Sequence, residues 1–212
     1  VATQLNQGRR EQAKSERRAA LLDAARRILA TSDISMRRLA DEAGVAEATP
    51  YNLFGSKRGV IAALYADQRA SFESRLHAGG SADPLLRLFD AVDLLADDLT
   101  RHPHFHRALY GAVYRSPTDG TDDAAAADPG IDFWRSAVAE AAAADRFRAG
   151  ANVALFGRCF VHLLTGAMLD WSEQRIDAQG WCTVTAHGLA LLALPVAAED
   201  ARAALAARLA VA

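Results

Sequence analysis

Ser35-Met36-Arg37-Arg38-Leu39-Ala40-Asp41-Glu42-Ala43-Gly44-Val45-Ala46-Glu47-Ala48-Thr49-Pro50-Tyr51-Asn52-Leu53-Phe54, followed directly by Gly55-Ser56-Lys57, reads as a helix, a glycine turn and a second short helix. Ser35 suits an N-cap, and Leu39 with Ala43, four apart, gives the first helix an apolar side for a core. Gly44 stands where a left-handed residue ends a helix, and Val45 beyond it can fold back onto the helix just left. Past the turn, Tyr51 and Phe54 can face inward or along one edge, leaving Glu47, Ala48, Thr49 and Asn52 for a partner. A glycine-interrupted helix pair is common in helical proteins. Here the surrounding basic and hydroxyl side chains make it a helix-turn-helix, with double-stranded DNA as the partner to expect.

Working outward, Leu21, Leu22, Ala25, Ile28 and Leu29 recur at helical steps from Arg18 onward and mark the first helix of a three-helix unit. Val1 to Arg10 reads as a flexible polar arm without a hydrophobic signal segment. Its end leads through Arg9 and Arg10 into Lys14, Arg17 and Arg18, which could follow a phosphate backbone or reach a minor groove, or simply solvate a helix start. The formal net charge of −2 hides a division: residues 1–58 hold eleven Lys/Arg against seven Asp/Glu, a balance of +4, leaving −6 for the remaining 154. Positive charge is concentrated where DNA would lie.

Leu39-Ala40, Ala43-Gly44-Val45, Tyr51, Phe54 and Ser56-Lys57 resemble the DNA-binding signature of the TetR family of bacterial transcriptional regulators. The resemblance covers the first third of the chain closely. It implies a homodimer whose amino-terminal domains enter successive major grooves, and a larger helical domain that dimerises and binds a small-molecule effector. The first functional reading is a ligand-responsive repressor, with Ser35, Thr49, Tyr51 and Lys57 on phosphates and Arg37 and Asn52 reaching bases; repression and activation stay open, since they depend on where the operator lies. Two departures stand out. The connection Ala30-Thr31-Ser32-Asp33-Ile34 is shorter than usual and lacks glycine, so the first helix is expected to dock differently. Pro50 occupies an aliphatic position of the recognition helix, and because proline suits a first helical position, the helix is expected to begin near Thr49 with Thr49 as its cap. Glu47 and Ala48 would then lie in the turn, with base readout shifted toward Tyr51 and Asn52.

The chain has 212 residues, 51% of them hydrophobic, enough for a substantial core. No strand-like alternation appears, so the fold class is all-α, divided into residues 1–58 for DNA and 59–212 for ligand binding and dimerisation. Helices are expected near 58–77, 84–101, 104–114, 131–147, 151–175, 178–194 and 198–210, with Asp83-Pro84 as a cap and first-position proline. Ser116 to Gly130 is the one long connection, expected to be mobile. The most apolar run, Leu189 to Ala198, is short and contains Pro195, so no membrane span is expected and the chain reads as cytoplasmic. Cys159 and Cys182 read as buried free thiols, with a redox-sensing disulfide left open.

Two late helices are very apolar, one with Leu155, Phe156, Phe160, Leu163, Leu164 and Met168, the other with Val184, Leu189, Leu191 and Leu192. The segment from Leu164 to Trp171 followed by Ile176-Asp177 resembles the family's dimer-forming helix and turn, with Gly166 and Ala167 permitting close approach; burial within one subunit is the alternative. Phe89, Phe105, Tyr110, Trp134, His162 and Trp171 are the candidate effector contacts, each weighed against plain core packing. His102, His104 and His106 do not have metal-motif spacing and read as a helix junction with one buried histidine. No metal, cofactor or catalytic motif is recognised. The rival to a regulator is a helical small-molecule-binding protein or enzyme whose amino-terminal unit serves only packing.

Overall fold

The computed structural model describes residues 2–114 and 129–210, with side chains described for 10–112 and 130–209. Ten helices run through those residues: α1 Ala2–Leu29, α2 Met36–Glu42, α3 Ala48–Phe54, α4 Lys57–Gly79, α5 Pro84–Arg101, α6 Pro103–Tyr114, α7 Pro129–Ala143, α8 Val153–Ser172, α9 Ala178–Ala193 and α10 Glu199–Ala210. The all-α expectation holds, with a single isolated bridge, Phe147 to Ala197, among the described residues. Of the Ser116–Gly130 connection, residues 116–128 lie outside the described residues, and Pro129 and Gly130 belong to α7.

Two compact units divide the chain. One runs to Gln68 and takes in α6 from His102; the other holds Arg69–Arg101 and α7 to α10. The boundary thus falls within α4, where the sequence placed it at residue 58. Burial explains the difference. Val60, Ile61, Leu64 and Tyr65 of α4 and Phe105 and Leu109 of α6 share one apolar core with Leu21, Leu22, Ala25, Ile28 and Leu29 of α1 and Leu39 of α2. The short connection works because Thr31 and Ser32 both turn their amides onto the Ile28 carbonyl, at 3.1 and 2.8 Å, while Ile34 plugs into the core at 3% exposure. The helix start also moves: Ala2 to Arg10 is helical where an arm was expected, in keeping with a run of Gln, Arg, Glu, Ala and Lys that favours helix.

In the second unit, α5 is amphipathic, burying Leu85, Leu88, Phe89, Val92, Leu95 and Leu99 along one side. It packs on α7 and α9, and α9 in turn on α8 and α10. Asp83 accepts the Leu85 amide at 2.8 Å and Pro84 opens the helix, as the sequence indicated. Arg75 of α4 grips the buried Asp98 of α5 with both guanidinium nitrogens, one at 2.8 Å. The Asp98 carboxylate raises the Arg75 pKa, chiefly through that hydrogen bond.

Two helices stop earlier than expected. α7 ends at Ala143, where Asp145 turns left-handed (φ 56°) and the Arg146 amide bonds back to Ala141 at 3.0 Å. α8 ends at Ser172, where Gln174 does the same (φ 61°) and the Arg175 amide reaches Asp170 at 2.9 Å. A further correction concerns α8 itself: with a mean hydropathy of 1.4 over an 18-residue window, it is long and apolar enough to cross a membrane, although only 28% of that window is buried within the chain. The run that reaches this length is α8, not Leu189 to Ala198 as expected. Both cysteines are free and half-buried. Burial, and then the neighbouring Asp93 carboxylate, push the Cys182 thiol up to about 11.

Candidate nucleic-acid interface

The two short helices are held in place by their ends. Ser35 is extended (φ −127°, ψ 152°) and its hydroxyl accepts the Arg38 amide at 3.2 Å, capping α2 as expected. At the other end Gly44 is left-handed (φ 64°). Its amide bonds to the Asp41 carbonyl at 3.2 Å and that of Val45 to Ala40 at 3.0 Å, the paired bonds of a Schellman ending. Val45 then packs against the core of this unit. The turn between α2 and α3 is therefore fixed by backbone geometry at one glycine.

The recognition helix starts earlier than the sequence suggested. It runs from Ala48, with Glu47 as a cap that makes no side-chain bond, so Thr49 is the second helical residue rather than the cap and Pro50 the third. Proline is tolerated there because the first four amides of a helix have no intrahelical acceptor. Pro50 is the buried residue of α3. Its rigid ring faces inward, and Ala48, Tyr51 and Asn52 remain exposed, with Tyr51 at 51%. Thr49 is half-buried. Tyr51 and Phe54 part company: Phe54 is half-buried against the core, with the Arg18 guanidinium over its ring at 4.6 Å.

The remaining predicted contacts lie on the surface of the same unit. Arg37 and Ser35 are exposed. Lys57 is exposed too, but it donates to both oxygens of Asp33 at 2.8 and 2.7 Å. That hydrogen bond is the main cause holding the Asp33 carboxyl below its ordinary range. Asp33 escaped the sequence reading; its signal lay in the shortened connection, which ends one residue before the buried Ile34. Gly59 escaped it as well: a Cβ there would fall 1.9 Å from the Phe54 carbonyl oxygen, so only glycine lets α4 pass so close to the end of α3.

The six candidate effector contacts are divided between the two units. Phe105, 7% exposed, and the half-buried Tyr110 belong to the amino-terminal unit, where Tyr110 lies edge-on to Tyr65 at 6.1 Å and stacks with His106 at 5.9 Å. His106 is the buried histidine of the junction; His102 and His104 are exposed. In the carboxy-terminal unit Phe89, Trp134 and Trp171 are core residues, while His162 is exposed on α8. A groove of about 320 Å³ in that unit is lined by none of the six. Its walls come from α4, α5 and α7, including Arg69, Arg87, Phe133 and Glu140. Phe133 meets Phe72 at 5.3 Å and Trp134 at 5.0 Å, and Trp134 meets Phe160 at 5.5 Å, so an aromatic run leads inward from the groove.

Residues 21–64 match the family model for bacterial regulatory proteins of the tetR family. No curated protein matches the chain. Among solved structures, a TetR transcriptional regulator from Rhodococcus sp. RHA1 is similar with a TM-score of 0.65 at 20% identity, covering 86% of this chain and 97% of that one. The native TylP regulator of Streptomyces fradiae gives 0.61 at 20% identity over 93% and 95%. NalD of Pseudomonas aeruginosa, described as the secondary repressor of the MexAB-OprM multidrug efflux pump, gives 0.60 at 17% identity over 88% and 98%. At these identities the likeness is one of fold.

Proposed function

We propose that the chain, whose residues 21–64 match the family model of bacterial regulatory proteins of the tetR family, is a cytoplasmic transcriptional regulator that represses from a palindromic operator and is released by a small molecule. The observation carrying this reading is the division of α3: Pro50 is turned into the core while Tyr51 and Asn52 stand exposed beyond a turn fixed at Gly44. Arg37 and Asn52 are assigned to bases; Ser35, Thr49, Tyr51 and Lys57 are assigned to phosphates. Ser35 keeps its hydroxyl proton free to donate while its oxygen caps α2. A phosphate on Lys57 competes with Asp33 for the ammonium.

The homodimer is assigned to α8 and α9. Leu155 and Leu169, fourteen apart on α8, and Val184 and Leu191, seven apart on α9, are each between 45% and 55% exposed. Such spacing keeps each pair on one helical face, as in a helix-bundle interface. The two helices meet within the chain at Gly188, where a Cβ would fall 2.4 Å from Leu163, whereas Gly166 has open space and remains available to a second copy. The effector site is assigned to the carboxy-terminal unit, where the aromatic run ending at Phe133 borders the groove and supplies an apolar wall beside ionic groups. Trp134 is the candidate contact retained nearest to it.

The test is a gel shift with DNA upstream of the chain's own gene at several salt concentrations. A two-fold-symmetric footprint with a steep salt dependence is expected. No binding at low salt sinks the reading and favours a helical binding protein or enzyme. Lys57→Ala is expected to weaken all sequences alike and Asn52→Ala to alter preference.

A further inference from the structure

Helix α1 continues well past the core it helps to build. From Arg10 to Ala20 every side chain is exposed except the half-buried Ala13. Arg10, Lys14, Arg17 and Arg18 follow one another at helical steps, and the same progression continues through Leu21, Ala25 and Ile28, which are buried. At about 100° per residue the four basic residues project within an arc of about 100°, centred on the direction taken by Leu21, Ala25 and Ile28. The core-facing edge of α1 therefore turns from apolar to basic where the core ends. Glu11 lies at the border of the arc and Glu16 on the far side. Arg18, stacked on Phe54, ties the inner end of the stripe to the last residue of α3.

The charges are also available. Arg26 is engaged by Asp23 and Asp67, and Arg27 by Glu42 at 2.9 Å. Arg10, Lys14 and Arg17 have no acidic partner among the described residues. The stretch from Arg10 to Ala20 contains no large apolar residue, so it lacks the face with which an amphipathic helix enters a lipid surface. Arg10 is about 16 Å along the helix from Leu21, a reach of about five base pairs.

We propose that this stripe is a second DNA-contacting surface, a helical overhang that follows the duplex backbone beyond the segment read by α3. The inference rests on the DNA-binding reading above. It is tested with the full chain by fluorescence anisotropy on a 40-base-pair random-sequence duplex over a salt series. Replacing Arg10, Lys14 and Arg17 together by Gln keeps a good helix former at each position and should lower the slope of log affinity against log salt by about 2 to 3 per chain. A second variant inserts two alanines between Ala19 and Ala20, which keeps every charge but rotates the stripe by about 200°. It should lose a similar part of the slope, with thermal unfolding unchanged in the triple variant and lowered in the insertion by no more than the lost Arg18–Phe54 stacking. Binding by the triple variant with the wild-type slope overturns the proposal. So does an insertion variant that binds as wild type, since a flexible arm would be indifferent to phase. A wild-type chain that binds no duplex in low salt fails the DNA-binding reading itself.

Discussion

Helices α3 and α8 both keep a face out of their own unit's core, and the two faces have opposite chemistry. α3 buries Pro50 and leaves Ala48, Tyr51 and Asn52 exposed; α8 buries Phe156, Phe160, Leu164 and Trp171 and leaves Leu155 and Leu169 exposed. Water tolerates the first face, which offers hydrogen-bonding groups that a hydrated polyanion can replace. The second sets its two leucines around the exposed His162, and its apolar part costs about 25 cal/mol for each Å² left in water, which favours burial against a like surface. An unsatisfied surface thus carries the identity of its partner in its chemistry.

The largest effect should come from spoiling the apolar face. Leu155→Glu with Leu169→Glu is expected to raise the dimer dissociation constant by about 100-fold or more, read by sedimentation velocity, while the monomer stays helical. An unchanged dimer would move the interface elsewhere. Next is Asp98→Ala, which leaves the Arg75 guanidinium without its carboxylate. It should cost about 2 to 3 kcal/mol in urea unfolding, discounted because Arg75 keeps a third of its surface in water. Gly44→Ala should cost about 1 to 2 kcal/mol through its positive φ and loosen the turn that presents α3, whereas Asp145→Gly and Gln174→Gly should each gain about 0.5 kcal/mol. If Gly44→Ala leaves both stability and DNA binding unchanged, the turn is not what presents α3.

Smallest is Asp33→Asn, worth less than about 1 kcal/mol because the pair is exposed. Its use lies in DNA binding, where freeing Lys57 should raise affinity by about two- to five-fold. The sign with pH follows from the lowered Asp33 pKa. The pair's contribution is present above about pH 4, the ordinary carboxylate value, and is lost as pH falls through the lower folded one. A decrease in DNA affinity for Asp33→Asn would show that the carboxylate positions Lys57 instead of competing for it.

The legible parts of this chain were those with a local cause. Ser35 and Asp83 cap because a short hydrogen-bonding side chain precedes each helix, and Gly44 ends α2 because glycine alone takes a left-handed turn without strain. Asp145 and Gln174 end their helices in the same way but carry no such mark, so α7 and α8 were read too long. Pro50 was misplaced by two positions because the whole first turn is free of amide acceptors, and proline fits the third residue nearly as well as the first. Among the predicted DNA contacts, the exposed positions follow from helical phase. The effector contacts divide between the units because large aromatic side chains look alike in a core and in a pocket. Only the packing of α6 with α1 assigns Phe105 and Tyr110 to the other unit.

By itself, the sequence determined the helices, the glycine turn and the separation of positive from negative charge, since each depends on a few neighbouring residues. Packing decided that α6 and half of α4 join the amino-terminal unit and that Asp33 pairs with Lys57. Those outcomes rest on contacts between residues far apart in the chain. Periodicity can say which side of a helix is apolar, but only packing says what meets it.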